Sequence, residues 1–108
     1  MEISISDRSD LLDGRLRELT ERRILFALSR FDSRVEHVDV VLQDENGPRG
    51  GIDKACRISI SIARMPEVVI TDRDDDVGRC ISRAAERAGR AVARAVARTQ
   101  QFERLRLT

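Results

Sequence analysis

Six arginines near the end of the chain offer the clearest chemistry, because they recur every three or four positions: Arg79, Arg83, Arg87, Arg90, Arg94 and Arg98. In an α-helix this spacing places all six within an arc of about 100° and along about 28 Å. Clustered guanidinium groups suit the phosphates of a nucleic-acid backbone. We call these six residues the arginine stripe. The alternative interpretation is the solvated face of an Arg-rich helix.

The charge of the chain is unevenly distributed, although its net value is only +1. Residues 1–78 hold 12 Lys and Arg against 17 Asp and Glu, whereas residues 79–108 hold 8 Arg against 2 Glu. Within the last helix only Glu86 is near enough to offset the stripe. Like charges four residues apart destabilise a helix by about 0.2–0.5 kcal/mol per pair. The stripe therefore predicts an acidic partner.

Other reactive residue types do not form a recognisable site. His37, the only histidine, has no Ser, Cys or acid motif placed to make it a general base. Cys56 is in phase with apolar positions, and Cys80 is opposed by nearby acids, so we expect neither to be a redox thiol. The acids of residues 72–76 lack the pattern of a calcium loop and are predicted to cap a helix. We predict no enzyme, no metal, no cofactor and no small-molecule substrate.

Length and composition fit a single globular domain. The 108 residues are 41% hydrophobic and 36% charged, with only 3% aromatic, which disfavours the aromatic stacking platforms of single-strand binders. No apolar run approaches the roughly 20 residues of a membrane span, and the first residues do not resemble a signal peptide. We expect a cytoplasmic protein with free thiols, one domain over residues 1–99 and a flexible tail over residues 100–108.

Hydrophobic periodicity predicts the order β-α-β-β-β-α. Residues 1–6 alternate as a strand, and Ser9 or Asp10 is expected to cap a helix that runs to about Arg30. Its apolar arc is predicted to contain Leu16, Leu19, Ile24, Phe26, Ala27 and Leu28, with Leu25 on the far side.

Three further strands and a long helix follow. The second strand carries Val38, Val40 and Leu42 on one face, a turn follows at residues 46–51, and the third strand buries alternate residues from Cys56. A short strand over Glu67–Thr71 precedes a helix from about Val77 to Gln101 or beyond. The fold class is α+β, with a four-stranded sheet packed by two helices. The buried side of the last helix is predicted to contain Ile81, Ala85, Ala88, Val92, Ala95 and Val96.

Several local features together resemble one known family. These are the element order, the Phe31-Asp32 stop, the turn at residues 50–54 leading into Cys56-Arg57-Ile58, and the Asp-opened basic last helix. Over about residues 1–98 the chain resembles the ribosome hibernation-promoting and ribosome-associated inhibitor family, also called sigma-54 modulation proteins. It looks like a short form, without the separate dimerisation domain of long members.

The resemblance implies both a fold and a function. The family domain resembles a double-stranded-RNA-binding fold, lies on the small ribosomal subunit where tRNA and mRNA pass, and silences idle ribosomes under stress. Its RNA contacts come largely from basic residues of the two helices. The family pattern matches Arg87, Arg90, Arg94 and Arg98 on the last helix and Arg23 on the first. At Phe26 the chain departs from the family, which commonly places a basic residue there.

We therefore expect a non-enzymatic, ribosome-associated translation inhibitor that binds small-subunit rRNA. The predicted rRNA-binding residues are Arg23, Arg79, Arg83, Arg87, Arg90, Arg94 and Arg98. One alternative is a divergent member that acts as a protein–protein module, a possible homodimer with Leu25 and Phe26 in its interface. Another is a binder of free double-stranded RNA.

The stripe hypothesis makes a direct prediction about charge reversal. Arg87→Glu combined with Arg94→Glu is expected to abolish co-sedimentation with ribosomes, because both substitutions remove phosphate contacts. Thermal stability is expected to stay unchanged. Retained binding by this double variant would contradict the hypothesis.

Overall fold

The computed structural model of the chain describes residues 1–45 and 53–107. The elements are β1 (Glu2–Asp7), α1 (Gly14–Leu28), a 3₁₀ turn (Ser29–Phe31), β2 (Val35–Asp44), β3 (Lys54–Ile62), β4 (Val68–Asp74) and α2 (Val77–Leu107). The predicted α+β class and element order are confirmed. The turn predicted over residues 46–51 and the end of the tail at residue 108 lie outside the described residues.

The four strands form one sheet in the order β1-β2-β3-β4. β1 runs parallel to β2, with α1 as the crossover between them, and the other two pairings are antiparallel. Alternate residues of each strand face the helices, so that Val40 lies opposite Ile58 and Leu42 opposite Cys56. These four residues are almost fully buried. The hydrophobic core lies between this face and the two helices.

β4 continues three residues beyond the predicted end at Thr71. It spans Val68–Asp74, and Asp72 and Asp74 pair with Cys56 and Lys54 of β3. From the sequence, these acids are predicted to cap α2, because Asp is uncommon in strands. Side chains of α2 neutralise both carboxylates, as described below, and this allows the strand to continue through them.

α1 begins later than predicted, with Asp13 rather than Ser9 or Asp10 as its N-cap. The Asp13 carboxylate accepts a hydrogen bond from the Leu16 amide at 2.8 Å. Upstream, the Asp7 carboxylate accepts from the amides of Leu11 and Leu12 at 2.9 and 2.8 Å. Asp10 itself has a φ of 53°, in the left-handed region. These bonds hold residues 8–12 in a non-helical turn, which moves the cap to Asp13.

The buried stripe of α1 is narrower than predicted. Thr20, Ile24 and Leu28 are fully buried at four-residue intervals, and the Thr20 hydroxyl donates to the Leu16 carbonyl at 2.7 Å. The placement of Phe26 in the apolar arc is wrong, because its side chain is 84% exposed. Phe26 lies two residues from both Ile24 and Leu28, which puts it about 200° away around the helix. Leu25 lies on the exposed side, as predicted.

α2 packs on the sheet through small side chains, and all six residues predicted for its buried side are buried. It also contacts α1 closely, since a Cβ built on Gly89 would lie 3.0 Å from the Ala27 carbonyl oxygen. Residues 100–107, expected to form a tail, continue α2 as helix. The flexibility of this segment stays a prediction.

The close contact at Gly89 predicts that a larger side chain at this position destabilises the fold. Gly89→Leu is expected to lower the free energy of unfolding by about 1–3 kcal/mol, because the added atoms force the two helices apart. Gly14→Leu is the matched control, since no atom lies within 4 Å of a Cβ at Gly14. Urea denaturation followed by circular dichroism measures both. Equal stability of the two variants would contradict the close contact.

Candidate nucleic-acid interface

The arginine stripe lies on the side of α2 that faces away from the core, as its spacing predicts. Arg87 is partly exposed, and the other five arginines are exposed. A continuous helix over Val77–Leu107 holds them in one row. Their surroundings divide the row into two parts, which we call the paired half (Arg79, Arg83 and Arg87) and the open half (Arg90, Arg94 and Arg98).

The paired half is neutralised by carboxylates of β4 and the turn that follows it. The Arg83 guanidinium donates to both oxygens of Asp72 at 2.8–3.0 Å and to Asp74 at 3.1 Å. Arg87 also contacts Asp72, at 3.1 Å. Arg79 contacts Asp74 at 3.1 Å and the neighbouring Asp75 at 2.7 Å. Most of the stripe is predicted to lack carboxylate partners within its own helix, and the partners of this half indeed come from outside α2, where the spacing within the helix does not reveal them.

The acidic run of residues 72–76 has two structural roles instead of one. Asp76 caps α2, because its carboxylate accepts from the Arg79 amide at 2.9 Å. Asp72 and Asp74 lie in β4 and hold α2 to the sheet edge. Hydrogen bonds from Arg83 and then Arg87 lower the pKa of Asp72 against the opposing effect of burial. The Asp76 amide and Arg79 contribute to a lowered pKa for Asp74.

Two arginines of the paired half also cover the open edge of the sheet. Arg83 donates to the Arg73 carbonyl at 2.7 Å, and Arg87 donates to the Thr71 carbonyl at 2.9 Å. Among the strands of the described residues, none lies on the far side of β4. An uncovered strand edge is a template for unwanted pairing. These contacts give Arg83 and Arg87 a structural role in the fold.

The open half presents its charges to solvent. Arg90 pairs with Glu86 at 2.8 Å, and both side chains are exposed. Among the described residues no carboxylate pairs with Arg94 or Arg98. An exposed pair such as Arg90–Glu86 contributes little and exchanges readily with another anion. The open half is therefore the part of the stripe that can accept phosphates.

Arg23 of α1 faces Arg90 of the open half across a groove between the two helices. The groove, of about 520 Å³, is lined by Arg23 and Arg90 and also by Arg30, which the sequence interpretation did not select. Arg30 follows Arg23 by seven residues, a spacing that returns to the same helix face, so its place could have been found from the sequence. Its guanidinium also lies 4.8 Å from the ring centre of Phe31.

A serine, a histidine and an aspartate meet on the opposite face of the sheet. The Ser4 hydroxyl donates to Asp39 at 3.1 Å and lies 3.2 Å from Nε2 of His37. The sequence interpretation missed this cluster, because the pairing of β1 with β2 creates it. In a hydrolytic triad the acid orients the histidine. Here Asp39 bonds to the serine instead, on an exposed sheet surface.

Both cysteines are buried free thiols. Burial raises the pKa of Cys56 to about 12 and that of Cys80 to about 11. The Cys80 thiol donates to the Asp72 carbonyl at 3.3 Å. Residues 1–45 and 53–107 contain no group of three His, Cys, Asp or Glu side chains placed to hold a metal ion. In the same ranges no helix combines the length and apolarity needed to cross a membrane.

The fold is similar to those of two solved proteins. A ribosomal subunit interface protein from Coxiella burnetii superposes with a TM-score of 0.72 at 13% identity, covering 90% of this chain and 99% of that one. The N-terminal domain of Protein Y from Thermus thermophilus gives 0.69 at 22% identity, covering 87% and 98%. No family model and no curated protein matches the sequence. These neighbours confirm the fold that the sequence resemblance predicted.

The paired carboxylates predict a specific pH dependence of stability. Because the folded pKa values of Asp72 and Asp74 are lowered from about 3.9, their stabilisation is complete above that value and is lost as the pH falls through the folded values. We expect the free energy of unfolding to decrease as the pH falls below about 4. Asp72→Asn should lower it by about 1–3 kcal/mol at pH 7 and make the acid decrease shallower.

Asp75→Asn is the control, because Asp75 is exposed and its ion pair with Arg79 lies at the surface. Urea denaturation across a pH series compares the two variants. An acid decrease in Asp72→Asn as steep as in the unsubstituted chain would contradict the role of Asp72.

Proposed function

We propose that this chain is a ribosome-associated translation inhibitor that binds small-subunit rRNA through the open half of the stripe together with Arg23 and Arg30. The observation that carries the proposal is the convergence of arginines from both helices on one exposed groove. Arg94 and Arg98 extend the row of charge along α2 beyond this groove, and Arg98 lies toward β4, where it lines a separate groove with Val68. Such a surface recognises phosphates and RNA shape rather than base sequence.

The structural neighbours support the ribosomal part of the proposal. One is named as a ribosomal subunit interface protein, and the other is a domain of Protein Y. The resemblance read from the sequence points to the same family of hibernation factors. By occupying the channel for tRNA and mRNA on idle ribosomes, the bound chain would prevent translation. This is a cytoplasmic binding role, and it requires no catalytic group.

The seven arginines predicted to contact rRNA have unequal parts in this proposal. Arg23, Arg90, Arg94 and Arg98 contact phosphates, and Arg30 joins them. Arg79, Arg83 and Arg87 form ion pairs with carboxylates of β4. Their main role is therefore to position α2. Because their guanidinium groups remain partly exposed, these three arginines still contribute long-range electrostatic attraction to the RNA phosphates.

A second candidate function is a protein–protein module that dimerises through α1. The observation favouring it is the exposure of Phe26, at 84%, beside Leu25, at 48%. Sedimentation equilibrium tests it directly. A dimer that Phe26→Ser dissociates would favour this function over RNA binding.

Charge reversal in the open half tests the main proposal. Arg94→Glu with Arg98→Glu is expected to weaken co-sedimentation with small ribosomal subunits at least about tenfold at low salt, because two phosphate contacts become repulsive. Thermal stability should be unchanged, since no described carboxylate pairs with either residue. Arg8→Glu with Arg57→Glu is the matched control, because it makes the same change of charge at exposed arginines near the opposite sheet face.

Equal weakening by both double variants would show that only net charge matters, which contradicts the proposed surface. The earlier pair, Arg87→Glu with Arg94→Glu, is a poorer test. Arg87→Glu would place a second carboxylate beside buried Asp72, so the expected unchanged stability no longer follows for that pair.

A further inference from the structure

The groove between α1 and α2 carries an exposed aromatic ring among arginines. Phe26 lines it together with Arg23, Arg30 and Arg90. The ring is 84% exposed, and Phe26 lies on the side of α1 away from the buried stripe. An isolated exposed phenylalanine has no role in the core, and the rRNA-binding proposal based on arginines does not use it.

The floor of the groove is open because its side chains are small. Ala27, Ala85 and Gly89 line it, and the approach of Gly89 to the Ala27 carbonyl brings the helix backbones close together. Ser29 and Ser82 add hydroxyl groups to its walls. A volume of about 520 Å³ is within the range of about 300–1,000 Å³ typical of sites for small ligands.

We propose that this groove holds one unpaired nucleotide of the bound RNA, with its base stacked on Phe26 and the flanking phosphates on Arg23, Arg30 and Arg90. An aromatic ring provides a stacking platform for any base, and nearby guanidinium groups neutralise the backbone. The Ser82 hydroxyl is available to a base edge or a ribose 2′-OH, whereas the Ser29 hydroxyl donates to the Phe26 carbonyl at 3.5 Å and can act there as an acceptor. This inference rests on the proposed function and specifies which RNA feature the groove recognises.

The charge of the groove selects a nucleotide over an apolar partner. A second copy docked symmetrically on this face would bring three arginines against the same three arginines, at a cost in repulsion. An apolar peptide would cover Phe26 but supply no anion to Arg23 or Arg30. A nucleotide supplies both a flat apolar body and negative charge.

Glu86 competes with the nucleotide for Arg90, because its carboxylate pairs with the Arg90 guanidinium at 2.8 Å on the groove wall. A phosphate must displace this exposed pair before it contacts Arg90. Glu86→Gln is therefore expected to strengthen nucleotide binding several-fold, since it removes the competing anion and frees Arg90.

The test uses a short single-stranded RNA with one 2-aminopurine, whose fluorescence is quenched when it stacks on an aromatic ring. The unsubstituted chain is expected to bind and quench it, and to prefer it to the same RNA in a perfect duplex. Phe26→Leu should weaken binding about 5- to 100-fold, the range for loss of one stacked base, and abolish the quenching. Phe26→Tyr, which keeps the ring, should retain both, and all three substitutions should leave the fold intact because Phe26 and Glu86 are exposed.

Salt dependence separates stacking from phosphate contacts. Phe26→Leu should leave the slope of log affinity against log salt unchanged, whereas Arg94→Glu with Arg98→Glu should reduce it. Equal affinity of the Leu and Tyr variants for the single strand, or no binding of the unsubstituted chain to it, would overturn the inference. Dimer dissociation as the main effect of Phe26→Leu would overturn it in favour of a second copy.

Failure of the inference is distinguishable from failure of the proposed function. If Phe26→Leu pellets with small subunits as tightly as the unsubstituted chain does, the groove does not hold a stacked nucleotide, and the arginine surface remains. If the unsubstituted chain does not pellet with small subunits at low salt, the proposed function itself fails.

Discussion

A carboxylate buried at the edge of a sheet is stable only if it is paired, because burial of an uncompensated charge is costly. Asp72 is 9% exposed and meets this requirement through Arg83 and Arg87. The pairing lets β4 continue through acidic residues, fixes α2 against the sheet and covers the strand edge. It also removes those arginines from the set that can bind a partner. The positions of Asp72 and, for Arg79, of Asp74 therefore decide which part of the stripe is available for function.

Small residues make the other part of the surface possible. The close contact of Gly89 with Ala27 lets α1 and α2 lie near one another on the same face of the sheet. Arg23 of α1 and Arg30 of the 3₁₀ turn then meet Arg90 across a shared groove. A single helix would present only a line of charge. Two adjacent helices present a basic surface with depth.

Local patterns in the sequence predict most of the fold but only part of the site. The strand faces and the division of α2 into Ala/Val and Arg sides follow from periodicity, and both are confirmed. Phe26 was misplaced because hydrophobicity alone does not distinguish a core residue from an exposed one 200° away. The pairing of Arg83 with Asp72 joins residues eleven positions apart on different elements, so no local pattern reveals it. The position of Arg30, in contrast, can be predicted from the sequence, because a seven-residue step from Arg23 returns to the same face of a helix.

The salt dependence of binding of the unsubstituted chain to purified small ribosomal subunits tests the central claim most directly. Each arginine that contacts a phosphate releases counterions, so the slope of log affinity against log salt counts the contacts. Five contacts, from Arg23, Arg30 and the open half, predict a slope of about −3.5 to −4.5. A slope near zero would contradict phosphate binding altogether. A slope steeper than about −5.5 would mean that the paired half also binds RNA, and would contradict the division of the stripe.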